Sequence, residues 1–363
     1  MAVSMEALDW YEELNFSEHS NISIDGLNVD AFSCRTKPIP VLADVFICAF
    51  YALVFLLAIP GNLLVGLVVG SSKQRLSPSD LYLFHLAVAD LLLALSLPLW
   101  AASVLRGWLF GGPVCKMASM LLEVNFYTSI LFLVCISVDR YLAVVRAGDA
   151  ASASWRGPGS QPRSFGVCAA VWAFGVLLSL PAALHNEVFQ VAGKEMCSER
   201  FKMDGTADWR LATLILRHLL GLLLPLGAML VCYGATVLRL LRTRGLQKLR
   251  AMRVIAAVMA AFLLCLCPYH LTTAVDTLMR ARLLEFSCAR RQAVDQAVNI
   301  TQMLALLHCC INPVLYAFVG VKFRSNLQRL LKKGRKRGDR PGTTRLFSRS
   351  ISNISTDGSV SLL

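Results

Sequence analysis

Apolar residues run along this chain in seven long stretches, at about 41–70, 79–105, 115–146, 164–184, 209–241, 252–279 and 293–319, separated by short polar or basic intervals. Each stretch supplies the roughly 20 residues that an α-helix needs to cross the hydrocarbon core of a bilayer. The pattern predicts an all-α membrane protein built as a bundle of seven transmembrane helices. After the last span Phe323, Leu327, Leu330 and Leu331 recur at helical spacing beside Lys322, Arg324 and Arg329. That spacing predicts a short amphipathic helix lying on a membrane surface. Four parts follow: an acidic segment over 1–40, the bundle over 41–319, the amphipathic helix over 320–333 and a Ser/Thr-rich tail over 334–363.

Composition supports a lipid solvent, since only 16% of residues are charged and 56% are hydrophobic, with a mean hydropathy of +0.58. Soluble domains carry about a quarter charged residues. A formal charge of +13 would suit a nucleic-acid binder, but the basic residues fall in particular intervals. Lys73 and Arg75, then Arg146, Arg156 and Arg163, then Arg242, Arg244, Lys248 and Arg250, and finally Lys332, Lys333, Arg335, Lys336 and Arg337 mark alternate loops and the tail. The positive-inside rule places these in the cytosol and the N-terminus outside, and no nucleic-acid partner is expected. Arg280, Arg282, Arg290 and Arg291 break the trend by falling in an outer loop, as a solvated face or as ligand contacts. The chain does not open with the basic, apolar and small-residue regions of a signal peptide, so the first span is expected to direct insertion.

The outer segment is acidic. Glu6, Asp9, Glu12, Glu13, Glu18, Asp25 and Asp30 face only Arg35 and Lys37, too little apolar surface for a packed domain and a favourable counterpart for a basic partner. Asn15 and Asn21 head glycosylation sequons on the outer side, and Tyr11, among acidic neighbours, is a candidate for sulfation. Asn299 and Asn353 also head sequons, but they fall in a span and in the cytosol. Of the chain's 12 cysteines, Cys34, Cys115, Cys197 and Cys288 fall on the oxidising side. Four cysteines allow three pairings; Cys115–Cys197 together with Cys34–Cys288 is the one expected. His308, Cys309 and Cys310 look like a metal cluster, but neighbours on a helix point in different directions and they read as packing residues.

Polar side chains stranded at membrane depth must find one another, water or an ion. Asp90, Asn125, Ser129 and Asn312, with Asn62, form such a set, and a sodium pocket is the natural reading. Pro60, Pro98, Pro181, Pro225, Pro268 and Pro313 release backbone carbonyls within spans and allow bending. Asp139-Arg140-Tyr141 closes the inner end of the third span, where an arginine faces protein or an aqueous mouth. No phosphate loop, zinc pair or nucleophile elbow is present in the sequence, so no enzymatic activity is expected.

Read in order, Gly61-Asn62, Leu86 to Asp90, Asp139-Arg140-Tyr141, Trp172, Pro225 with Tyr233, Pro268 and Asn312-Pro313-Val314-Leu315-Tyr316 give one motif per span. The set resembles the rhodopsin-type G-protein-coupled receptors. Asp139 to Val145, Ser96-Leu97-Pro98, Trp108 to Gly111 and the Cys34/Cys288 pair resemble chemokine receptors within that superfamily. Glu123 to Tyr127, Arg250 to Ile255, Asp276 to Arg280 and an echo at Trp10 to Phe16 are similar to CXC receptors of the interleukin-8 receptor type.

The resemblance implies a receptor in the plasma membrane whose partner is a basic CXC chemokine, first captured by Asp9, Tyr11, Glu12 and Glu13. The chemokine N-terminus would then enter the bundle against Trp100, Arg210, Asp276, Arg280, Arg290, Arg291, Asp295 and Gln302. Asp139, Arg140, Tyr141, Tyr233, Pro268, Asn312, Pro313 and Tyr316 would carry the change to an inhibitory-class heterotrimeric G protein and drive leukocyte chemotaxis. No cofactor is implied beyond an allosteric sodium ion. Receptor kinases and arrestin are implied for the tail hydroxyls from Thr343 to Ser361, and Ser361-Leu362-Leu363 has the form of a PDZ ligand. Three departures stand out: Leu266 where the family places a tryptophan two residues before Pro268, Gln302 where relatives carry a glutamate, and a long Gly148–Pro162 loop. Leu266 favours an alternative, an atypical receptor that scavenges chemokine or signals mainly through arrestin.

Overall fold

The computed structural model describes residues 41–71, 76–146, 160–191, 193–199, 206–242, 246–280, 283–284, 287–319 and 325–329. The expectations for Asp9, Tyr11, Glu12, Glu13, Asn15, Asn21 and Cys34, for most of the Gly148–Pro162 loop and for the tail lie outside the described residues. So do the side chains of Arg210, Arg280 and Tyr316.

Among the described residues there are seven long helices: α1 (Val41–Gly70), α2 (Pro78–Arg106), α3 (Gly111–Val144), α4 (Ser160–His185), α5, α6 (Leu246–Arg280) and α7. Helix α5 runs through Thr206–His218, a π-helical segment Leu219–Leu223 and Leu224–Arg242, and α7 comprises Cys288–Leu306 and His308–Val319. Six of the seven are, among the described residues, long and apolar enough to cross a membrane. The seventh, α6, has 35 residues and a length of about 50 Å at ~1.5 Å per residue, which also suffices. The chain is therefore an all-α membrane bundle, and residues 325–329 form a short helix, α8, after the last span. The apolar window of α3 is 56% buried and that of α1 only 11%, so α3 is the central post and α1 faces outward.

Local chemistry sets the helix boundaries. Ser77 caps α2: its Oγ accepts from the Asp80 N–H at 3.3 Å, the Asp80 carboxylate accepts from the Ser77 N–H at 3.3 Å, and Pro78 fills the first turn without losing a bond. Ile130, Phe132 and Leu133 of α3 pack with Leu86 of α2, Met229 of α5 and Leu266 of α6 in the main buried cluster. Pro313 has no N–H for the carbonyl of Cys309, and the Asn62 side chain donates to that carbonyl at 2.9 Å instead. Gly61 permits the approach, because a Cβ there would stand 3.1 Å from the Pro313 ring.

One feature is absent from the hydropathy pattern. Strands β1 (Asn186–Val191) and β2 (Lys194–Glu199) form an antiparallel hairpin between α4 and α5, with Val188 opposite Cys197. The Cys115–Cys197 disulfide ties it to the start of α3, and the Trp108 N–H donates to the Glu195 carbonyl at 2.7 Å. Gly107 turns the chain there with φ +81°, and a Cβ would stand 2.9 Å from that same carbonyl. Cys288 is also disulfide-bonded, to a partner that, like Cys34, lies outside the described residues.

Candidate functional site: a hairpin-roofed cavity above a buried polar line

Beneath the hairpin lies a cavity of about 270 Å³, lined among others by Trp100, Glu123, Glu199, Arg217, Tyr269 and Gln302. Trp100 stacks at a tilt on the fully buried Trp108, their ring centroids 5.2 Å apart, which fixes it as one wall. Across the cavity the Arg217 guanidinium meets the Glu123 carboxylate at 2.7 Å, each side chain about one-fifth exposed. Glu199 of β2 adds a second carboxylate within electrostatic reach of Arg217. Two acids against one base leave this end of the cavity suited to a guest that presents a cation.

Glu123 and Arg217 are absent from the ligand contacts expected from sequence, which centred on the loop arginines. The signal was available, since opposite charges inside two different spans are costly unless they meet or serve a site. Gln302 and Trp100 do line the cavity.

The Arg290 and Arg291 pair needs correction. Both lie in the first turn of α7, where the Ser287 side chain accepts from the Arg290 N–H at 3.3 Å, and not in a loop. Arg290 is exposed, whereas Arg291 is 2% exposed. Its guanidinium bonds Asp276 of α6 at 2.8 Å and Asp295 of α7 at 2.8 and 3.2 Å. Arg291, Asp276 and Asp295, three of the residues expected from sequence to meet the ligand, are here brought together as a link between α6 and α7.

Deeper in the bundle the polar set converges as the sequence suggests. Asp90, wholly buried, accepts from Asn312 at 3.0 Å and from Asn125 at 3.2 Å, and Asn125 also donates to Ser129 at 3.3 Å. His308, read from sequence as packing, places Nε2 3.7 Å from Asp90 while its Nδ1 donates to the Ala305 carbonyl at 2.5 Å. A buried carboxylate holding only neutral donors would be costly. The Asp90 oxygens and the Ser129 hydroxyl are the kind of donors a hard monovalent cation takes, and the His308 imidazole stands beside them.

At the opposite end Asp139 is 3% exposed and accepts a hydrogen bond from Ser79 of α2. Arg140 and Tyr141 beside it are partly buried, and the Arg140 Nε has no hydrogen-bond partner among the described residues. Tyr233 packs against the main core cluster, and Leu266 lies in that cluster, 1% exposed, and contributes to the cavity floor.

Seven spans, a disulfide-tethered hairpin, a cavity at one end and an Asp-Arg-Tyr terminus at the other define a membrane receptor architecture. The family described as 7 transmembrane receptor (rhodopsin family) matches residues 61–316. Rabbit (Oryctolagus cuniculus) C-X-C chemokine receptor type 1 is 45% identical over 287 residues, covering 78% of this chain and 79% of the relative. Human (Homo sapiens) C-X-C chemokine receptor type 2 is 43% identical over 305 residues, covering 84% and 82%. Rabbit C-X-C chemokine receptor type 2 is 42% identical over 338 residues, covering 90% and 91%. The chain belongs to the rhodopsin family of seven-transmembrane receptors and, within it, to the CXC chemokine receptors.

Proposed function

We propose that this chain is a plasma-membrane receptor for a basic CXC chemokine of the interleukin-8 type, with its N-terminus and hairpin outside the cell and its C-terminus in the cytosol. The observation that carries the reading is the cavity under the tethered hairpin, with Glu123, Glu199 and Arg217 as its charged groups. The acidic segment around Asp9, Tyr11, Glu12 and Glu13 captures the ligand by charge, which speeds encounter and makes binding salt-sensitive. The ligand's N-terminal segment then enters past Arg210, Arg280 and Arg290 and reaches Trp100, Gln302 and the Glu123–Arg217 pair. The guest must favour one packing of the bundle over another, since equal affinity for both shifts nothing.

Pro268 and Pro313 supply the bends, and Asp139, Arg140, Tyr141, Tyr233, Asn312 and Tyr316 present the changed inner face to an inhibitory-class G protein, driving chemotaxis. Asp90, Asn125, Ser129 and Asn312 would hold a sodium ion, whose charge would favour the arrangement that encloses it. Asn15 and Asn21 carry glycans, Cys34 pairs with Cys288, and the tail serves receptor kinases, arrestin and a PDZ-domain protein. The test is a panel of CXC chemokines on cells expressing the chain, reading cyclic AMP suppression and arrestin recruitment in parallel. Suppression by an interleukin-8-type chemokine supports the reading, and silence to every chemokine overturns it. Leu266 favours a second reading, and arrestin recruitment without cyclic AMP suppression would select it.

A further inference from the structure

We propose that the outer edge of β2, at Cys197 and Glu199, receives the N-terminal segment of the ligand as a third strand of the hairpin. The inference rests on the chemokine-receptor reading and adds how that ligand is held: the hairpin binds its main chain, and the cavity below reads alternate side chains. In an antiparallel pair, successive residues turn their N–H and C=O alternately toward the partner strand and away from it. The contacts of Glu195 fix which residues of β2 turn away. Its carbonyl accepts from the Trp108 N–H at 2.7 Å, and a Cβ on Gly107 would stand 2.9 Å from its oxygen and 3.3 Å from its nitrogen, so both of its backbone groups face the α2–α3 connection. Cys197 and Glu199 turn the same way, while Met196 and Ser198 turn to Phe189 and Glu187 of β1.

Among the described residues the α2–α3 connection covers this edge at Glu195, and no backbone hydrogen bond reaches Cys197 or Glu199 from that side. Each offers one N–H and one C=O, and the two residues stand about 7 Å apart at ~3.3 Å per residue. Both line the cavity, with Trp100, Ser119 and Gln302 among its other walls. An extended segment laid along the edge therefore runs along the rim of the cavity.

Side chains two apart on a strand share a face. The Cys197 sulfur reaches Cys115 at the start of α3, and the Glu199 carboxylate lies within electrostatic reach of Arg217, so this face looks into the cavity. Residues of an added strand that stand opposite Cys197 and Glu199 point their side chains the same way, and the residues between them point outward. The hairpin carries Glu187, Glu195 and Glu199 against Lys194, and Glu123 lies below. That charge attracts a basic segment and repels the chain's own acidic residues 1–40. Main-chain bonding accepts any extended sequence, so discrimination among basic ligands falls to every second side chain.

Chemically synthesised interleukin-8 tests the strand from the ligand side. Single N-methyl groups are placed at successive residues of its N-terminal segment, and displacement of labelled interleukin-8 is measured on cells expressing the chain. Each N-methyl removes one N–H. Affinity should fall about 3- to 10-fold at every second position and stay near that of the unmodified ligand in between. Equal losses at adjacent positions, or none at any, overturn the third strand, while binding of unmodified interleukin-8 keeps the receptor reading. Interleukin-8 that does not bind at all overturns both.

Amide hydrogen exchange of the full chain in lipid nanodiscs, resolved residue by residue, tests it from the receptor side. Without ligand, the Met196 and Ser198 amides should exchange slowly and those of Cys197 and Glu199 quickly. Saturating interleukin-8 should slow Cys197 and Glu199 by about 10-fold or more and leave Met196 and Ser198 as they were. Cys197 and Glu199 amides already slow before ligand is added would mean that the chain's own acidic segment holds the edge. Amides that stay fast in the saturated complex would mean that the ligand enters without pairing. Either result overturns the proposal.

Discussion

Replacing Arg291 by methionine tests whether that side chain holds the bundle together or waits for a ligand. Its guanidinium is almost fully buried and makes three contacts of 2.8–3.2 Å with Asp276 and Asp295. Methionine keeps much of the apolar stem but leaves two carboxylates without their shared cation. Removing one partner of a buried ion pair costs about 3–5 kcal/mol. The side chains of Asp276 and Asp295 are 17% and 23% exposed, so water relieves part of that cost and roughly 2–4 kcal/mol remains. At ~2 °C per kcal/mol for a protein of this size, the melting temperature of purified receptor should fall by about 4–8 °C.

Asp276→Asn combined with Arg291→Met should recover part of the loss, because the Asn substitution removes one of the two carboxylates that Arg291 served, with a coupling of about 0.5–3 kcal/mol. The assay is thermal unfolding in a mild detergent, with chemokine binding measured on the same preparations. A melting temperature unchanged within about 1 °C, together with lost binding, would refute the structural assignment and return Arg291 to the ligand. Strict additivity of the two substitutions would remove the bridge between α6 and α7.

Three further predictions follow from other contacts. Arg217→Gln strands Glu123 beside Glu199 and Glu123→Gln strands Arg217, so each should weaken chemokine potency by about 10-fold or more; the double substitution should lose less than the sum in cyclic AMP assays, and independent losses would argue against a shared site. Ser79→Ala removes a donor from buried Asp139, a hydrogen bond to a charged group worth about 1.5–3 kcal/mol, and should raise ligand-free nucleotide exchange on the G protein; unchanged basal exchange would mean that the contact persists in both arrangements. His308→Ala removes the imidazole ring 3.7 Å from Asp90 and opens space beside the carboxylate, which should change the sodium sensitivity of basal exchange, whereas Asp90→Asn should abolish it; equal sodium titrations in the original chain and both variants would leave the pocket without an ion.

What the sequence disclosed and what it withheld divide along the range of the interactions. Seven spans are written in runs of apolar residues, because each helix satisfies its own backbone and needs only length to be recognised. Asp90, Asn125 and Asn312 were legible as a set because a polar side chain in hydrocarbon has to find partners, and the bundle offers few places to do so. The hairpin from Asn186 to Glu199 escaped because its partners are Cys115 and Trp108, fixed by a disulfide and one backbone hydrogen bond and not by any periodicity. Arg291 was read with its neighbours as outer-loop charge, a solvated face or ligand contacts, since nothing local distinguishes it from Arg290; only the turn of α7 buries one against Asp276 and leaves the other exposed.

His308 shows the same limit from the other side. Its adjacency to two cysteines suggested packing, whereas the residue that gives it a role, Asp90, lies 218 positions earlier and 3.7 Å away. Charge pairing inside a membrane protein is decided by which faces of distant helices meet. Propensity and hydropathy locate the helices and leave those meetings to be found in the fold. For this chain they fall at α3 with α5, α6 with α7 and α2 with α7, the seams across which a guest in the cavity would have to act to change the far end.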